Sequence, residues 1–201
     1  ECSEVQGCAS ESATNFNPLA TNDDGSCEWG DNTFQGLVYE VVDENTIESA
    51  TTYRVYAQFD TDAAVDMTSL FGNSEDPWLT ASTESFYQHP LGADFGGNIN
   101  PGFYGTFPEL EYDSWLTIGA GPGDYNALAQ ENMYIYLPEF NLGNDLIIDT
   151  PEGAQIFLND GASDTQGVPD EDGRLLVGQF TTSGVVFLRY NIRFQGAEDE
   201  L

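Results

Sequence analysis

The chain has no lysine and only four arginines in 201 residues, against 35 acidic residues. A net charge of -31 makes the chain repel itself unless salt or bound divalent cations screen it. We therefore expect a salty, calcium-containing extracellular medium. Nucleic acid and anionic membranes are excluded as partners, because proteins bind both through Lys and Arg.

Long apolar runs and helix-forming stretches are also scarce. No run approaches the ~20 apolar residues of a membrane helix, so we expect no membrane insertion. Hydrophobic residues make up 40% of the chain and aromatic residues 13%, which is enough for a folded core. The abundance of Gly, Asn, Asp, Thr and Ser favours strands joined by turns.

Cysteine is absent after residue 27, and the three cysteines are Cys2, Cys8 and Cys27. This clustering predicts a small disulfide-stapled module, residues 1–30, ahead of a cysteine-free domain, residues 31–201. Zinc is disfavoured because it takes four ligands and the only histidine, His89, lies far away in the sequence. The start at Glu1 rather than Met suggests a processed secreted protein or a piece of a larger one.

Residues 7–27 read GCASESATNFNPLATNDDGSC. The segment resembles a short repeat of secreted and surface proteins, notably of marine bacteria, with the pattern GC-x(4)-A-x-N-(F/Y)-(N/D)-P-x-A-x(2)-DDGSC. The resemblance implies a Cys8–Cys27 disulfide. Such a bridge would close a loop of about twenty residues and contribute ~3 kcal/mol through chain entropy. The repeat marks a surface protein and says almost nothing about activity.

Cys2 is left over in that pairing. In tandem copies of the repeat, the last cysteine of one copy lies shortly before the Gly-Cys of the next. Cys2 would then complete a unit that lies upstream or on another chain. A local bond from Cys2 to Cys8 or Cys27, or a free thiol, are the alternatives.

From residue 33 onward the apolar period is mostly two, which predicts strands. We expect them at residues 34–42, 52–59, 65–71, 114–119 and 154–158. The clearest pair is at residues 174–182 and 184–194, separated by a Thr-Ser-Gly turn, and residues 124–133 suggest a short helix. Seven or more short strands with turn-rich connections predict an all-β domain, an antiparallel β-sandwich or a jelly roll.

The second domain also carries a resemblance. The segments TTYRVYAQF, SLFG, SFYQHPLG, YDSWLTIG and PDEDGRLLVGQFTTSG occur in this order. They are similar to a domain of secreted marine bacterial proteins that often accompanies the cysteine repeat. The resemblance spans roughly residues 33–195. It implies a secreted all-β surface module and supplies no catalytic residues.

Two acidic loops are candidate calcium sites. Acidic residues at alternate positions before a glycine can wrap a hard cation with oxygen ligands. The main candidates are Asp160, Asp164, Asp170 and Asp172, with Asp23 and Asp24 in the amino-terminal module. A weaker set is Asp60, Asp62 and Asp66. The alternatives are a solvated acidic loop and, at Asp23 and Asp24, an Asx turn.

Aromatic residues are frequent in the loop-rich stretch 73–115. Displayed aromatic rings stack on sugars or anchor protein interfaces. The candidates are Trp78, Tyr87, Phe103 and Tyr104, with Phe86 and Trp115 nearby. We favour burial of these rings in the core over an interface, and an interface over sugar binding.

No catalytic arrangement stands out. His89 has no Ser or Cys in a nucleophile motif, and chance carboxylate pairs are expected among so many acids. We therefore expect a protein that is not an enzyme: a secreted structural or adhesive subunit that assembles with copies of itself into a filament or surface layer. The alternative is a calcium-dependent carbohydrate-binding module that recognises glycans. A secreted hydrolase ranks third.

Overall fold

A computed structural model describes residues 5–9, 15–26, 34–61, 66–159 and 166–194. These residues form mainly β-strands. In chain order the strands are β1 (Gln6–Gly7), β2 (Asn22–Asp23), β3 (Phe34–Glu44), β4 (Thr51–Phe59), β5 (Met67–Gly72), β6 (Trp78–Ser82), β7 (Trp115–Leu116), β8 (Leu128–Glu131), β9 (Leu146–Ile148), β10 (Ala154–Leu158), β11 (Arg174–Thr182), β12 (Val186–Arg189) and β13 (Asn191–Phe194). The helices are one α-helical turn, α1 (Leu137–Phe140), and four 3-10 turns, Gly96–Asn98, Pro101–Phe103, Pro108–Tyr112 and Met133–Ile135.

The main domain is an antiparallel β-sandwich, as the turn-rich sequence predicts. Sheet 1 has the strand order β3-β4-β11-β7. Facing it are sheet 2a, with the order β13-β5-β10-β8, and sheet 2b, with the order β12-β6-β9. Every described pairing in these three sheets is antiparallel.

Sheets 2a and 2b are two halves of one layer that bends across its strands. The chain passes from one half to the other between β5 and β6, between β9 and β10, and between β12 and β13. The buried side chain of Asn191 holds the bend, because its Nδ2 donates to the carbonyl oxygens of Phe71 and Asp76, at 3.0 and 2.7 Å. One side-chain amide thus joins the end of β5 to the connection that leads into β6.

One apolar core fills the space between the layers. Val55, Phe59 and Phe180 from sheet 1 meet Leu70 and Ile156 from sheet 2a in a single cluster. The alternation of large apolar and polar residues along β4 produces this, since successive side chains point to opposite faces of a strand. The sequence predicted β3, β4, β5 and β10 with boundaries that shift by at most two residues, while the strand predicted at residues 114–119 is the two-residue β7.

Two local predictions are wrong. The helix predicted at residues 124–133 is not formed: the segment contains β8, which pairs with β10, and a 3-10 turn begins only at Met133. Tertiary pairing thus overrides the apolar spacing. The predicted partners at residues 174–194 do not pair with each other, since β11 lies in sheet 1 while β12 pairs with β6. The turn between them docks on Thr83, whose N–H donates to the carbonyl of Val185 and whose hydroxyl accepts the N–H of Val185.

In the amino-terminal module, β1 pairs in parallel with β2. The Asn17 N–H donates to the carbonyl of Cys8, at 2.9 Å. A Cβ at Gly7 would lie 2.7 Å from Asn17 Nδ2, which gives a physical reason for the glycine before the cysteine. Cys8 is buried and disulfide-bonded. Both cysteines that could pair with it, Cys2 and Cys27, lie outside the described residues, so the Cys8–Cys27 pairing stays a prediction.

Candidate functional site

One edge of sheet 1 is sealed by the chain between β6 and β7. Both residues of β7, Trp115 and Leu116, are 0% exposed. Phe95 forms a β-bridge to Leu116, and Trp115 packs with Ile99 and Leu110 in a second apolar cluster. The strand β7 is therefore not accessible to a partner strand.

Asp113 ties the sealing loop to the sheet. Its carboxylate is buried and accepts the N–H groups of His89 and Ala93, at 2.7 and 3.1 Å. Its carbonyl accepts from the side-chain amide of Gln179 on β11, at 2.9 Å. A Cβ at Gly92 would overlap the carboxylate, so only glycine lets the loop close this tightly. Burial raises the pKa of Asp113 to about 6, although the backbone hydrogen bonds favour the ionised form.

The opposite edge of sheet 1 is open. None of the eleven residues of β3 is buried. Leu37 and Tyr39 pair with Ala57 and Val55, which are core residues of β4. Because directly paired residues share one face of a sheet, Leu37, Tyr39 and Val41 are on the core side. Tyr39 is nevertheless 69% exposed and Val41 50%, since no strand of the facing layer covers them.

An apolar groove of about 380 Å³ runs along this open side. Leu37, Tyr39 and Val55 line it from sheet 1, and Val186 and Leu188 of β12 line it from sheet 2b. Within the described residues, β3 pairs only with β4, and β12 pairs only with β6. Two free strand edges therefore flank one apolar groove.

Sequence reasoning predicted the strand β3 but missed this open side. The period-two pattern of Leu37, Tyr39 and Val41 shows which residues share a face, and it does not show whether another layer covers that face. The charge distribution of the sequence does set one side of the molecule apart. No acidic residue occurs between Asp172 and Glu198, a span that contains three of the four arginines.

The predicted calcium loop before β11 is only partly described. Asp160 and Asp164 lie outside the described residues. Asp170 Oδ1 accepts the N–H groups of Asp172 and Arg174, at 3.0 and 2.9 Å, and Asp172 Oδ2 accepts from Arg174 Nη2 at 3.1 Å. Asp170 Oδ2 lies 3.8 Å from Arg174 Nε. Arg174 thus lies close to both described carboxylates and offsets part of their charge, and calcium at this loop stays a prediction.

The other acidic candidates are only partly described. Asp24 Oδ1 accepts the N–H of Ser26 at 3.0 Å in an Asx turn, and hydrogen bonds from the Ser26 side chain and backbone lower the pKa of Asp24. The side chain of Asp23 and all of Asp62 lie outside the described residues, while Asp60 accepts a hydrogen bond from Gln35. Within the ranges that the structure describes, no three His, Cys, Asp or Glu side chains are grouped to hold a metal.

The predicted aromatic candidates separate into buried and exposed rings. Trp78 is 0% exposed and belongs to the core, the alternative that the sequence analysis favoured. Tyr87 and Tyr104 are half-buried, and Tyr104 packs against the second cluster. Phe103 is 50% exposed and Phe107 39%, so this loop displays two rings.

No known protein family, curated protein or solved structure matches the chain. Among the described helices, none has the length and apolarity of a membrane span.

Proposed function

We propose that the protein is an extracellular structural or adhesive protein, a subunit that assembles with copies of itself into a filament or surface layer stabilised by divalent cations. The observation that carries this proposal is the uncovered core-facing side of β3, where Tyr39 and Val41 are exposed beside an apolar groove. A surface of this kind is completed by another polypeptide strand.

The backbone of β3 supports the same conclusion. An edge strand presents a row of unpaired N–H and C=O groups, which is a template for strand addition. Eleven residues is long for an exposed edge, because most edge strands are kept short or covered. The opposite edge of sheet 1, β7, is covered by a loop of the same chain, whereas β3 is not.

Charge supports a role for cations. Copies of a chain with a net charge of -31 repel one another at low ionic strength. The Debye length is about 10 Å at 0.1 M salt, so a salty medium screens contacts between neighbouring subunits. Divalent cations bound by exposed carboxylates would reduce the repulsion further.

An extracellular location is supported by two observations. Cys8 is disulfide-bonded, and disulfides persist in oxidising compartments. Residues 7–27 resemble a repeat of secreted and surface proteins. Both observations fit a protein that works outside the cell.

Negative-stain electron microscopy and sedimentation velocity test the proposal. We expect ordered assemblies when the protein is dialysed into millimolar calcium, and their dissociation when a chelator is added. Sodium chloride at the same ionic strength separates a specific effect of calcium from plain screening. Monodisperse monomers at every calcium concentration would contradict self-assembly.

A second candidate function is calcium-dependent binding of carbohydrate. The exposed rings of Phe103 and Phe107 favour it, because aromatic faces stack on sugar rings. A glycan array with and without chelator separates the two functions. Specific binding that the chelator removes, and that Phe103→Ala abolishes, would favour the carbohydrate-binding module.

A further inference from the structure

The free edge formed by β12 and β13 carries two of the four arginines of this acidic chain. It contains Arg189 and Arg193 and no acidic residue. Arg193 stacks over the ring of Phe71, at 4.2 Å, while Arg189 is exposed and makes no ion pair with any described residue. An exposed arginine on a free strand edge, without an ion pair among the residues that the structure describes, is suited to an acidic partner.

The free edge of β3 has the complementary character. Glu40 pairs across the sheet with Arg54, so it lies on the outer face, and Asp43 and Glu44 end the strand. The core side carries the exposed Tyr39 and Val41. β3 is therefore acidic outside and apolar inside. β12 is basic outside, at Arg189, and apolar inside, at Leu188, which packs against the core.

We propose that a second copy of this chain pairs its β3 with the β12 edge of the first copy, and receives the β3 of the first copy on its own β12. The inference rests on the proposed self-assembly and names one contact within it: this pairing closes a two-fold dimer, and a further contact between dimers would extend it into a filament or layer. The contact is reciprocal because both edges flank the same groove. Sheet 1 of each copy then continues into sheet 2b of the other, about a two-fold axis along the strands.

The strand directions and side chains agree with this pairing. β3 runs parallel to β11, since both are antiparallel to β4, and the short turn after β11 reverses the chain into β12. The new pairing is therefore antiparallel. When Glu40 faces Arg189 of the second copy on the outside, Val41 faces the second copy's Leu188 on the inside. Glu40 would then lie between two arginines, Arg54 of its own chain and Arg189 of the other.

Charge exchange between Glu40 and Arg189 tests the pairing by sedimentation equilibrium in calcium and salt. Each single variant, Glu40→Arg and Arg189→Glu, places two like-charged pairs in the dimer. We expect its dissociation constant to rise at least ~100-fold, because each unfavourable pair costs a tenfold loss or more. An equimolar mixture of the two variants, and the double variant in one chain, restore opposite charges at both contacts and should recover the dimer.

Controls keep folding separate from association. Near-ultraviolet circular dichroism should be unchanged in each variant, and Glu40→Gln and Arg189→Gln should weaken the dimer less than the charge reversals do. Amide exchange along β3 and β12 should slow when the wild type associates. Loss of association in folded single variants with recovery in the mixture supports the pairing.

Two failures are distinguishable. If the wild type assembles and the folded single variants assemble equally well, or if the mixture fails to recover the dimer, the β3–β12 pairing is wrong while self-assembly stands. If the wild type stays monomeric at every concentration of calcium and salt, the proposed function fails together with the pairing.

Discussion

The two edge strands of sheet 1, β7 and β3, differ in how far they are buried. At β7, Trp115 and Leu116 are completely buried beneath a loop that the Asp113 carboxylate holds in place. At β3, no residue is buried, and Tyr39 is 69% exposed on the core side. The difference shows that this fold can cover an edge strand with a loop, so exposure of β3 is specific to that edge. The chain covers one edge with a long loop and leaves the other open.

The largest expected contrast comes from removing one aromatic ring at each edge. Trp115→Ala should lower the free energy of unfolding by about 3–5 kcal/mol, because it empties a fully buried site. Tyr39→Ala should change it by less than ~0.5 kcal/mol, because most of that ring is already in water. Urea denaturation at low ionic strength measures both. Equal losses of unfolding free energy in the two variants would contradict the difference in burial between the two edges.

The next largest effect concerns the pH dependence of the sealed edge. The folded pKa of Asp113, about 6, lies above the ordinary value of 3.8, so the folded state holds this proton more tightly. The ionised Asp113 carboxylate therefore destabilises the folded state. This cost is absent below pH 4 and complete above pH 6, so the contribution of Asp113 to the free energy of unfolding should fall by up to ~3 kcal/mol as pH rises through that window.

Asp113→Asn removes the titration. The difference in unfolding free energy between wild type and variant, measured from pH 3.5 to pH 7, should therefore shift against the wild type as pH rises. A flat difference for Asp113 would show that its carboxylate is not held in a dry site.

A smaller effect is expected from the closure of the loop. Gly92→Ala should cost about 1–3 kcal/mol, because the new Cβ overlaps the Asp113 carboxylate. Gly105→Ala, in the same loop, meets nothing within 4 Å and should be neutral or stabilise by up to ~1 kcal/mol. Thermal denaturation of both variants compares them. A harmless Gly92→Ala would mean that the loop closes less tightly than its geometry shows.

The smallest change in stability is expected at the open edge itself. Val41→Lys puts a charge on an exposed position of β3 and should alter the free energy of unfolding by no more than ~0.5 kcal/mol. The same change should block the proposed pairing of β3 with β12, which sedimentation velocity measures. If Val41→Lys left assembly intact, a surface other than β3 would have to mediate assembly.

Much of the fold follows from local sequence. The alternation in residues 52–59 and 174–182 predicts the two central strands of sheet 1, and the turn-rich connections predict a sandwich. The pairing could not be predicted, because it depends on contacts distant in sequence. The turn after β11 illustrates this: Val185 docks on Thr83, about a hundred residues earlier, and carries the chain to the other layer.

Much less of the site was predictable. The buried Trp78 and the exposed Phe103 are both aromatic residues in one loop-rich stretch, and composition alone does not separate them. β3 shows the same limit, since its pattern is that of an ordinary half-buried strand. Exposure of its apolar face results from how far the facing layer extends. The calcium hypothesis stays a prediction, since Asp160 and Asp164 lie outside the described residues.

The bend in the second layer has a mechanical consequence. The ladders of sheets 2a and 2b end at one common line, and short links such as Tyr190 cross it. Opening of contiguous units can therefore separate one half while the other keeps its hydrogen bonds. Separation of the two halves would break the hydrogen bonds from Asn191 to the carbonyls of Phe71 and Asp76.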